Sequence, residues 1–430
     1  MTLKRLLLAA LVVVLIGAGA VGAYVFVKVR EGRDVRGSST VEFVTTAGPE
    51  VPTHPKNAVI AWPMYGYDQR RAHVGPGRFR PPFRKQWVFG ARNLVEFPPA
   101  VAYGRLFFTN NSGVMFAVGA RNGGRAWRWR SGRCAASSPA VSGHLVIQVF
   151  LARRPCNRGG SNLDGLVVGF YVGSGKVRWK RRIGPSETSP LVAKGRVFVG
   201  DWDGNVWALS SNTGRVLWKF HADGQVKSGI AFASDRLFFG SYDHHVYSLN
   251  AYTGRLIWRG SAQERLGSQA TFYSTPAVAY GRVYIGGTDG KVYSFGATSG
   301  KLRWTQGTGG YVYSSPAVYR RRVYAGSYSG TFYAFDAATG DVDWTFEANG
   351  PISGSPTIVD GLVYFATLKE RTYALDARTG RQVWTFPQGK YSPLVTDGKR
   401  PFLIGNARVF GMLARGSSRE RGTAETSSGR

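Results

Sequence analysis

The stretch ALDARTGRQVW, Ala374–Trp384, decides the fold, because variants of it return along most of the 430-residue chain. Each copy ends in a tryptophan four residues after a turn glycine, and one extra tryptophan strand lies upstream. The repeated tryptophans are Trp87, Trp127, Trp179, Trp218, Trp258, Trp304, Trp344 and Trp384. Most neighbours in this series are 39 or 40 residues apart. A period in this range without a helical pattern predicts a radial β-propeller, in which each unit forms one small sheet.

The order of patterns within each unit predicts four strands. An apolar run after Ser-Pro is followed by two alternating segments and the tryptophan strand, as in Ser314–Phe346. Seven complete units occupy about 97–386, whereas the unit that begins at Tyr391 lacks a tryptophan strand. Phe83–Gly90 is a tryptophan strand without inner strands before it. We therefore predict an all-β fold: an eight-bladed β-propeller of four-stranded antiparallel blades, closed by pairing this N-terminal strand with the C-terminal blade.

We interpret the eight tryptophans as packing residues rather than as catalytic ones. Burying a large aromatic ring stabilises a fold by up to roughly 5 kcal/mol, and eight rings in register predict stacking between neighbouring blades. The turn glycines, such as Gly340 and Gly380, are expected to adopt positive φ.

The charge of the chain is strongly basic and unevenly distributed. The sequence has 56 Lys and Arg against 25 Asp and Glu, a formal net charge of +31. Between Gln69 and Arg182 there are 21 basic residues and two acidic ones, Glu96 and Asp164. Such a field favours anionic partners such as phospholipid headgroups, cell-wall polyanions or nucleic acid. A solvated surface that merely reflects an arginine-rich composition is the alternative.

The N-terminal segment contains an uncharged run of 22 residues. As a helix this run reaches about 33 Å, enough to cross a hydrocarbon core of about 30 Å. We predict an uncleaved transmembrane anchor, with a cleavable signal peptide ending near Ala18 and Ala20 as the alternative. The predicted divisions of the chain are a short tail at 1–5, the anchor at 6–27, a flexible tether at 28–57, the propeller at 58–413 and a disordered tail at 414–430.

Two opposing signals bear on the side of the membrane. Four basic residues follow the apolar run and two precede it, which alone would place the propeller inside the cell. Cys134 and Cys156, however, fall in two loops on the same face of blade two. A disulfide there would contribute about 3 kcal/mol and mark an oxidising compartment, with two unpaired buried thiols as the alternative. We predict a single-pass cell-membrane protein with the propeller on the extracytoplasmic side.

Two surfaces are candidate binding sites. Near the predicted channel mouth, Glu187 and three tyrosines that precede first strands could contact a ligand, although packing between blades also explains the tyrosines. These tyrosines are Tyr273, Tyr313 and Tyr391. Basic residues in or beside loops of blades two and three form a second candidate, a face for an anionic partner. They are Arg130, Arg133, Arg153, Arg154, Arg158, Lys180, Arg181 and Arg182.

The pattern A-x-D-x-x-T-G-x-x-x-W resembles the repeat of the pyrroloquinoline quinone (PQQ) propeller family. Ala374–Trp384 and Ala334–Trp344 match it in full, and the other blades match it in part. The segment WPMYGYD, 62–68, is similar to one that opens many such proteins. The resemblance implies the propeller fold and, because most members act outside the cytoplasm, supports export. The family contains quinoprotein dehydrogenases, non-catalytic propellers similar to the lipoprotein subunit of the outer-membrane β-barrel assembly machinery, and exported proteins of unassigned role.

The resemblance also tells which residues a dehydrogenase would need. Those enzymes carry two adjacent cysteines over the cofactor, and they hold Ca²⁺ with Glu, Asn and Asp beside a catalytic Asp. This chain has two cysteines that are 22 residues apart and only isolated acids, Glu96 and Glu187, near the predicted mouth. The turns 201–203 and 243–245 are interpreted as hairpin caps rather than metal ligands. We expect no catalytic, cofactor-binding or metal-binding residues and no cofactor.

The sequence therefore predicts a non-enzymatic binding or assembly scaffold with a protein or an anionic envelope polymer as partner. The helix makes the membrane a further partner, nucleic acid is not expected to bind, and the chain is expected to act as a monomer. A dehydrogenase that uses PQQ and Ca²⁺ is the first alternative. An extracytoplasmic ligand sensor is the second.

Overall fold

The computed structural model describes residues 3–57, 59–153, 156, 164–265 and 268–414. It contains one long helix, α1 (Leu3–Glu31), followed by strands that build eight blades and one two-stranded hairpin. The apolar part of α1, Ala10–Arg30, has a mean hydropathy of 2.5 and is not buried against the propeller. The predicted N-terminal apolar helix and the predicted eight-bladed all-β propeller are both confirmed.

The strands of the first four blades follow one another from the inner edge of each sheet to its outer edge. Two strands precede these blades, β1 (Ile60–Trp62) and β2 (Phe83–Gly90). Blade one contains β3 (Ala100–Ala102), β4 (Arg105–Thr109), β5 (Val114–Gly119) and β6 (Arg125–Arg130). Blade two contains β7 (Ala140–Ser142), β8 (Leu145–Phe150), β9 (Gly165–Tyr171) and β10 (Val177–Ile183). Blade three contains β11 (Leu191–Ala193), β12 (Arg196–Gly200), β13 (Asn205–Ser210) and β14 (Val216–His221). Blade four contains β15 (Ala231–Ala233), β16 (Arg236–Gly240), β17 (His245–Asn250) and β18 (Leu256–Ser261).

A short hairpin, β19 (Glu264–Arg265) and β20 (Ser268–Gln269), precedes the second half of the ring. Blade five contains β21 (Ala277–Ala279), β22 (Arg282–Gly286), β23 (Lys291–Gly296) and β24 (Leu302–Gly307). Blade six contains β25 (Ala317–Tyr319), β26 (Arg322–Gly326), β27 (Thr331–Asp336) and β28 (Val342–Glu347). Blade seven contains β29 (Thr357–Val359), β30 (Leu362–Thr367), β31 (Arg371–Asp376) and β32 (Gln382–Phe386). Blade eight contains β33 (Leu394–Thr396), β34 (Pro401–Gly405) and β35 (Arg408–Ala414).

The outer strand of blade eight comes from the start of the propeller. β2 pairs antiparallel with β35, so that Val88 lies opposite Phe410 and Trp87 opposite Gly411. β1 adds a fifth strand at the inner edge of blade one, beside β3, which the sequence analysis did not predict.

The antiparallel order gives the ring two distinct ends. The loops that enter each first strand, and the turns between second and third strands, lie at one end, which we call the mouth face. The other turns lie at the opposite end, the rear face.

Each repeated tryptophan joins its blade to the next one. Trp304 of blade five is fully buried, and its Nε1 donates to the Ala337 carbonyl of blade six at 3.0 Å. Its ring lies against Gly340, whose φ is +81° and where an added Cβ would lie 2.7 Å from the indole. A side chain at that turn would therefore clash as well as strain the backbone. The same bond joins Trp87 to Ala120, Trp127 to Val172, Trp179 to Ser211, Trp218 to Ala251 and Trp258 to Ala297, at 3.0–3.2 Å.

The hydrophobic core consists of layers between neighbouring blades rather than one central mass. Phe332 of blade six stacks on Phe365 of blade seven with ring centroids 4.2 Å apart. At the junction of blades seven and eight, Trp384 meets Phe83 edge-on at 5.1 Å. Phe83 belongs to the N-terminal strand, so this packing ties the two ends of the propeller together.

The segment after α1 packs along the outside of blades five and six, and we call residues 32–47 the strap. At the mouth end, Lys291 Nζ donates to the Gly32 carbonyl at 2.6 Å and pairs with Asp34 at 3.0 Å. At the rear end, Glu42 forms an ion pair with Arg303, and Val44 N donates to the Tyr280 carbonyl at 2.9 Å. The composition of 28–57 predicts a flexible tether, and the strap differs from that prediction because its acids match basic residues of blade five.

Residues 59–77, which we call the plug, fill the central channel. Their backbone carbonyls accept hydrogen bonds from the middle residue of the first strand in five blades. These bonds are Val141 N to Pro63 O, Phe232 N to Gln69 O, Val278 N to Arg70 O, Val318 N to Ala72 O and Ile358 N to His73 O, at 2.7–3.0 Å. The plug therefore replaces the open channel that is expected at the centre of a propeller.

Candidate functional site

A funnel opens at the mouth face and ends on the plug. Its walls are the loops that enter the first strands, and its floor is formed by Trp62, Tyr65 and His73 of the plug. The Tyr65 hydroxyl bonds Ser315 Oγ at 3.0 Å and Ser355 Oγ at 2.6 Å, which fixes the floor to blades six and seven. The cavity inside the funnel has a volume of about 70 Å³.

The floor is supported by a buried guanidinium. Arg71 is fully buried and donates to the carbonyls of Ile230 at 2.9 Å, of Ser189 at 3.2 Å and of Tyr65. Burial lowers the pKa of Arg71 to about 10. Burial, assisted by the charge of Arg71, lowers the pKa of His73 to about 3, so this imidazole is neutral at physiological pH. The floor thus carries one buried positive charge that is bound by backbone carbonyls.

Glu187 is the central polar group of the funnel wall. Its carboxylate accepts hydrogen bonds from Trp202 Nε1 at 3.0 Å and from the Tyr273 hydroxyl at 3.2 Å, and Lys227 Nζ lies 3.8 Å away. Burial raises the pKa of Glu187, and Lys227, Trp202 and Tyr273 offset only part of that effect. Its oxygens are therefore already engaged by neighbouring side chains.

Glu96 also lines the funnel, in the loop that enters blade one. Asn111 Nδ2 donates to it at 3.1 Å, and burial raises its pKa although Asn111 and Lys390 favour the charged form. The two carboxylates thus sit in separate hydrogen-bond networks. Within the described part of the chain, no group of three or more His, Cys, Asp and Glu side chains is placed to hold a metal ion.

The funnel does not fit the quinone cofactor that the fold family suggests. Pockets for ligands of that size occupy roughly 300–1,000 Å³, far above the cavity of about 70 Å³. A Ca²⁺ ion takes six or more oxygen ligands, whereas the carboxylates of Glu187 and Glu96 already accept hydrogen bonds from Trp202, Tyr273 and Asn111.

All four residues predicted at the channel mouth line this funnel: Glu187, Tyr273, Tyr313 and Tyr391. Tyr273 meets Tyr313 edge-on with centroids 5.3 Å apart, and Tyr313 meets Tyr328 at 5.1 Å. These contacts link the mouth-face loops of blades five and six, so packing between blades accounts for two of the three predicted tyrosines. Two further side chains of this site, Lys227 and Trp202, are not among the residues predicted from the sequence, and the Lys227 ammonium lies 4.4 Å from the Trp202 ring centroid. The sequence pattern predicts only a hairpin cap at 201–203, and Asp201 does cap that hairpin by accepting from Asn205 N at 2.8 Å.

The predicted anionic-partner face is brought together only in part. Arg130 and Arg182 are exposed at the mouth ends of β6 and β10, and Arg153 is exposed beside them. Arg133 is buried and pairs with Asp164 at 3.0 Å, so it is not available to a partner. Arg154 and Arg158 lie outside the described residues.

Two further predicted residues of that face point elsewhere. Arg181 Nε donates to the carbonyl of Gly214, a rear-face turn of blade three, at 2.9 Å. Lys180 lies on the outer strand with its ammonium 5.6 Å from the Trp129 ring centroid. Strand alternation explains Arg181, because it leaves the side of the sheet opposite to Arg182. Lys180 shares the side of Arg182 and differs from it in lying over the Trp129 ring.

Cys134 and Cys156 are joined by a disulfide with Cα atoms 5.9 Å apart. The bond fixes the loop that enters blade two to the long connection between β8 and β9. Arg133 and Asp164 pair beside it, so both ends of this connection are held at the mouth face.

Comparisons with known proteins agree with this architecture. The sequence profile described as outer membrane protein assembly factor BamB matches residues 161–226, 212–313 and 288–416. The outer membrane protein assembly factor BamB of Burkholderia pseudomallei (strain K96243) is 26% identical over 179 residues, which are 39% of this chain and 43% of that protein. The match thus spans less than half the length of that curated relative.

Solved structures share the fold at low sequence identity. BamB from Moraxella catarrhalis superposes with a TM-score of 0.64 at 15% identity, covering 77% of this chain and 100% of that one. Quinohemoprotein alcohol dehydrogenase from Comamonas testosteroni gives a TM-score of 0.68 at 14% identity, covering 83% and 81%. Both likenesses establish the fold alone, because a propeller frame carries unrelated functions.

Proposed function

Because the chain belongs to the PQQ-like β-propeller family described as outer membrane protein assembly factor BamB, we propose that it is a non-enzymatic binding scaffold of the cell envelope. In this proposal α1 anchors the chain in the cell membrane and the propeller lies on the extracytoplasmic side. The partner is an anionic component of the envelope, bound through exposed arginines at the mouth face.

The observation that carries the proposal is the closed funnel. The plug is bonded to the first strands of five blades and forms the floor of the funnel, and the space of about 70 Å³ above it is well below the roughly 300–1,000 Å³ of pockets for cofactor-sized ligands. With the interior filled, the outer surface is the part of the molecule available for binding. The name of the family points the same way, since an assembly factor acts by binding other proteins.

The dehydrogenase alternative is tested by adding PQQ and Ca²⁺ to the purified full chain with alcohols and an artificial electron acceptor. We expect neither cofactor absorbance that stays with the protein after gel filtration nor dye reduction. Stoichiometric retention of the quinone together with turnover would overturn the proposal.

The binding role is tested by photo-crosslinking in intact membranes. A photoreactive residue placed at Ser112, at the mouth face of blade one, is compared with one at Ser174, at the rear face of blade two. We expect discrete crosslinked products from position 112 that disappear at high salt, and few from position 174. Equal products from both positions would contradict a binding site at the mouth face.

The export of the propeller is tested with a membrane-impermeant maleimide. Ser174→Cys is exposed on the rear face, and the native cysteines are already paired. Labelling in intact spheroplasts is expected. Labelling only after lysis would place the propeller inside.

A further inference from the structure

The helix leaves the propeller at the mouth face. Lys28, near the end of α1, forms an ion pair with Glu264 of the β19–β20 hairpin at 3.1 Å. That hairpin lies in the loop between blades four and five, at the mouth end of both. Gln263 of the same loop donates to the Arg33 carbonyl at 3.1 Å.

The strap then runs from the mouth face to the rear face. Asp34 accepts from Gly307 N at 3.0 Å, where β24 ends at the mouth, whereas Glu42 accepts from Ser299 N at 2.9 Å in a rear-face turn. The chain therefore moves away from the end of α1 as it descends along the propeller. Of the two ends of the ring, the mouth face is the one beside the helix.

The position of Lys28 determines how close the mouth face of the propeller lies to the bilayer. The uncharged run ends at Val27, so Lys28 lies at the boundary of the hydrocarbon core. The headgroup layer beyond that boundary is roughly 5–8 Å deep on each side. Because Glu264 pairs directly with Lys28, the mouth-face hairpin lies within or against the headgroups.

The chemistry of the mouth face suits such a position. Close to the helix end, Tyr311 is 53% exposed and its ring lies 6.3 Å from that of Tyr328. Tyrosines are favoured at membrane interfaces because their rings are amphipathic. The acids nearest the anchor are already paired, Glu264 with Lys28 and Asp34 with Lys291.

Opposite the anchor lies a basic patch. In a ring of eight blades, blade one faces blade five across the axis, so blades eight, one and two are farthest from the helix. Four exposed arginines lie at their mouth ends, and we call them the arginine arc: Arg92, Arg130, Arg182 and Arg408. Among the described neighbours, Asp164 is paired with Arg133 and Glu370 accepts from Asn406 Nδ2 at 2.9 Å. The charge of the arc is thus not cancelled locally.

We propose that the mouth face lies against the membrane that holds α1, and that the arginine arc binds the anionic phospholipid headgroups of that membrane. The proposal rests on the proposed membrane anchoring. The helix fixes one side of the ring and electrostatic attraction fixes the opposite side, so the propeller axis is held close to the membrane normal. Juxtamembrane arginines bind anionic lipid in a salt-dependent way.

Energy transfer to lipid tests this orientation. The full chain is labelled with a donor dye at Ser112→Cys or at Ser174→Cys, with the native disulfide intact, and is reconstituted into vesicles that carry an acceptor on the headgroups. Vesicles of phosphatidylcholine with phosphatidylglycerol are compared with phosphatidylcholine alone. In anionic vesicles we expect several-fold more transfer from position 112 than from position 174. The excess should fall in about 1 M salt, where the Debye length is about 3 Å, and in neutral vesicles.

Charge-reversal variants distinguish binding by the arginine arc from attraction due to the overall positive charge of the chain. The variant R130E/R182E should lose the excess transfer from position 112, whereas R215E/R255E, which reverses two exposed rear-face arginines, should retain it. Equal transfer from positions 112 and 174 would overturn the orientation. An excess that persists in neutral vesicles and in R130E/R182E would overturn lipid binding by the arc. Either failure, combined with discrete protein crosslinks from position 112, would leave the scaffold proposal standing with a protein as its partner.

Discussion

Two sectors of the propeller differ in whether another part of the chain covers their outer surface. The sector formed by blades five and six is covered by the strap, whose Asp34 and Glu42 pair with Lys291 and Arg303. The sector formed by blades eight, one and two has no such cover among the described residues, and it carries the arginine arc. The sequence has seven basic and five acidic residues in blades five and six, 277–347, against 20 and three in blades eight, one and two, 83–183 and 391–414.

The excess of basic residues is therefore concentrated in the sector that the strap does not cover. Beneath the strap, Lys291 and Arg303 have acidic partners, whereas the four residues of the arginine arc are exposed on the uncovered blades. A surface that merely reflected an arginine-rich composition would not be expected to divide along this line. The sector of blades eight, one and two, which we call the bare sector, is therefore the better candidate for a partner-binding site.

The largest expected effect compares a tryptophan of each sector. Trp304 is fully buried between blades five and six, and Gly37 of the strap packs against it, whereas Trp127 is only half-buried between blades one and two. Trp304→Ala should lower the free energy of unfolding by about 3–5 kcal/mol, and Trp127→Ala by less. Urea unfolding of the full chain in detergent measures both. Equal losses would show that the strap adds no packing to its sector.

The next effect concerns the covalent link of the bare sector. Replacing both cysteines, Cys134→Ser with Cys156→Ser, should cost about 3 kcal/mol in the chain-entropy model for a loop of this length. The loss should be accompanied by faster hydrogen exchange in the connection between β8 and β9, but not in the strap. Exchange that rises equally in both sectors would mean that they are not independently stabilised.

A smaller effect is expected at the strap itself. Burial alone would raise the pKa of Glu42, but hydrogen bonds from Ser299 and Arg303 hold it below its usual value. Because the folded pKa is depressed, the stabilisation is complete above the unfolded pKa of 4.5 and is lost as the pH falls through the folded value. Glu42→Gln should cost about 1–2 kcal/mol at neutral pH and flatten this acid dependence. Proteolysis of the strap should become faster, and an unchanged cleavage rate would contradict the packed arrangement.

The smallest expected effect is on the free energy of unfolding when two exposed arginines of the bare sector are replaced. Arg130→Gln with Arg182→Gln should change the free energy of unfolding by no more than about 0.5 kcal/mol, since both side chains are exposed. A loss well above that value would mean that these arginines serve the fold rather than a partner.

The repeat made most of the fold predictable. Because each tryptophan needs a turn glycine in the next blade, as Trp304 needs Gly340, spacing alone gave the number of blades and their order. The strap and the plug were not predictable, because their contacts join residues far apart in the sequence, as Glu42 with Arg303 and Val141 with Pro63, and leave no periodic pattern.

The funnel was predictable in part for the same reason. Glu187, Tyr273, Tyr313 and Tyr391 occupy equivalent loops, so their convergence follows from the ring. The partners of Glu187, including Lys227 and Trp202, come from neighbouring turns whose side-chain directions the sequence does not reveal. The basic face was over-predicted for a similar reason, since loop position alone did not separate Arg130 from the buried Arg133.

Cryo-electron microscopy of the full chain in nanodiscs containing anionic lipid tests the central claim most directly. We expect the mouth face to lie against the disc, with α1 entering the bilayer beside blades four and five and the arginine arc touching headgroups on the opposite side. A propeller that presents its rear face to the disc, or that stands clear of it with Arg130 and Arg182 in solvent, would overturn the proposed orientation.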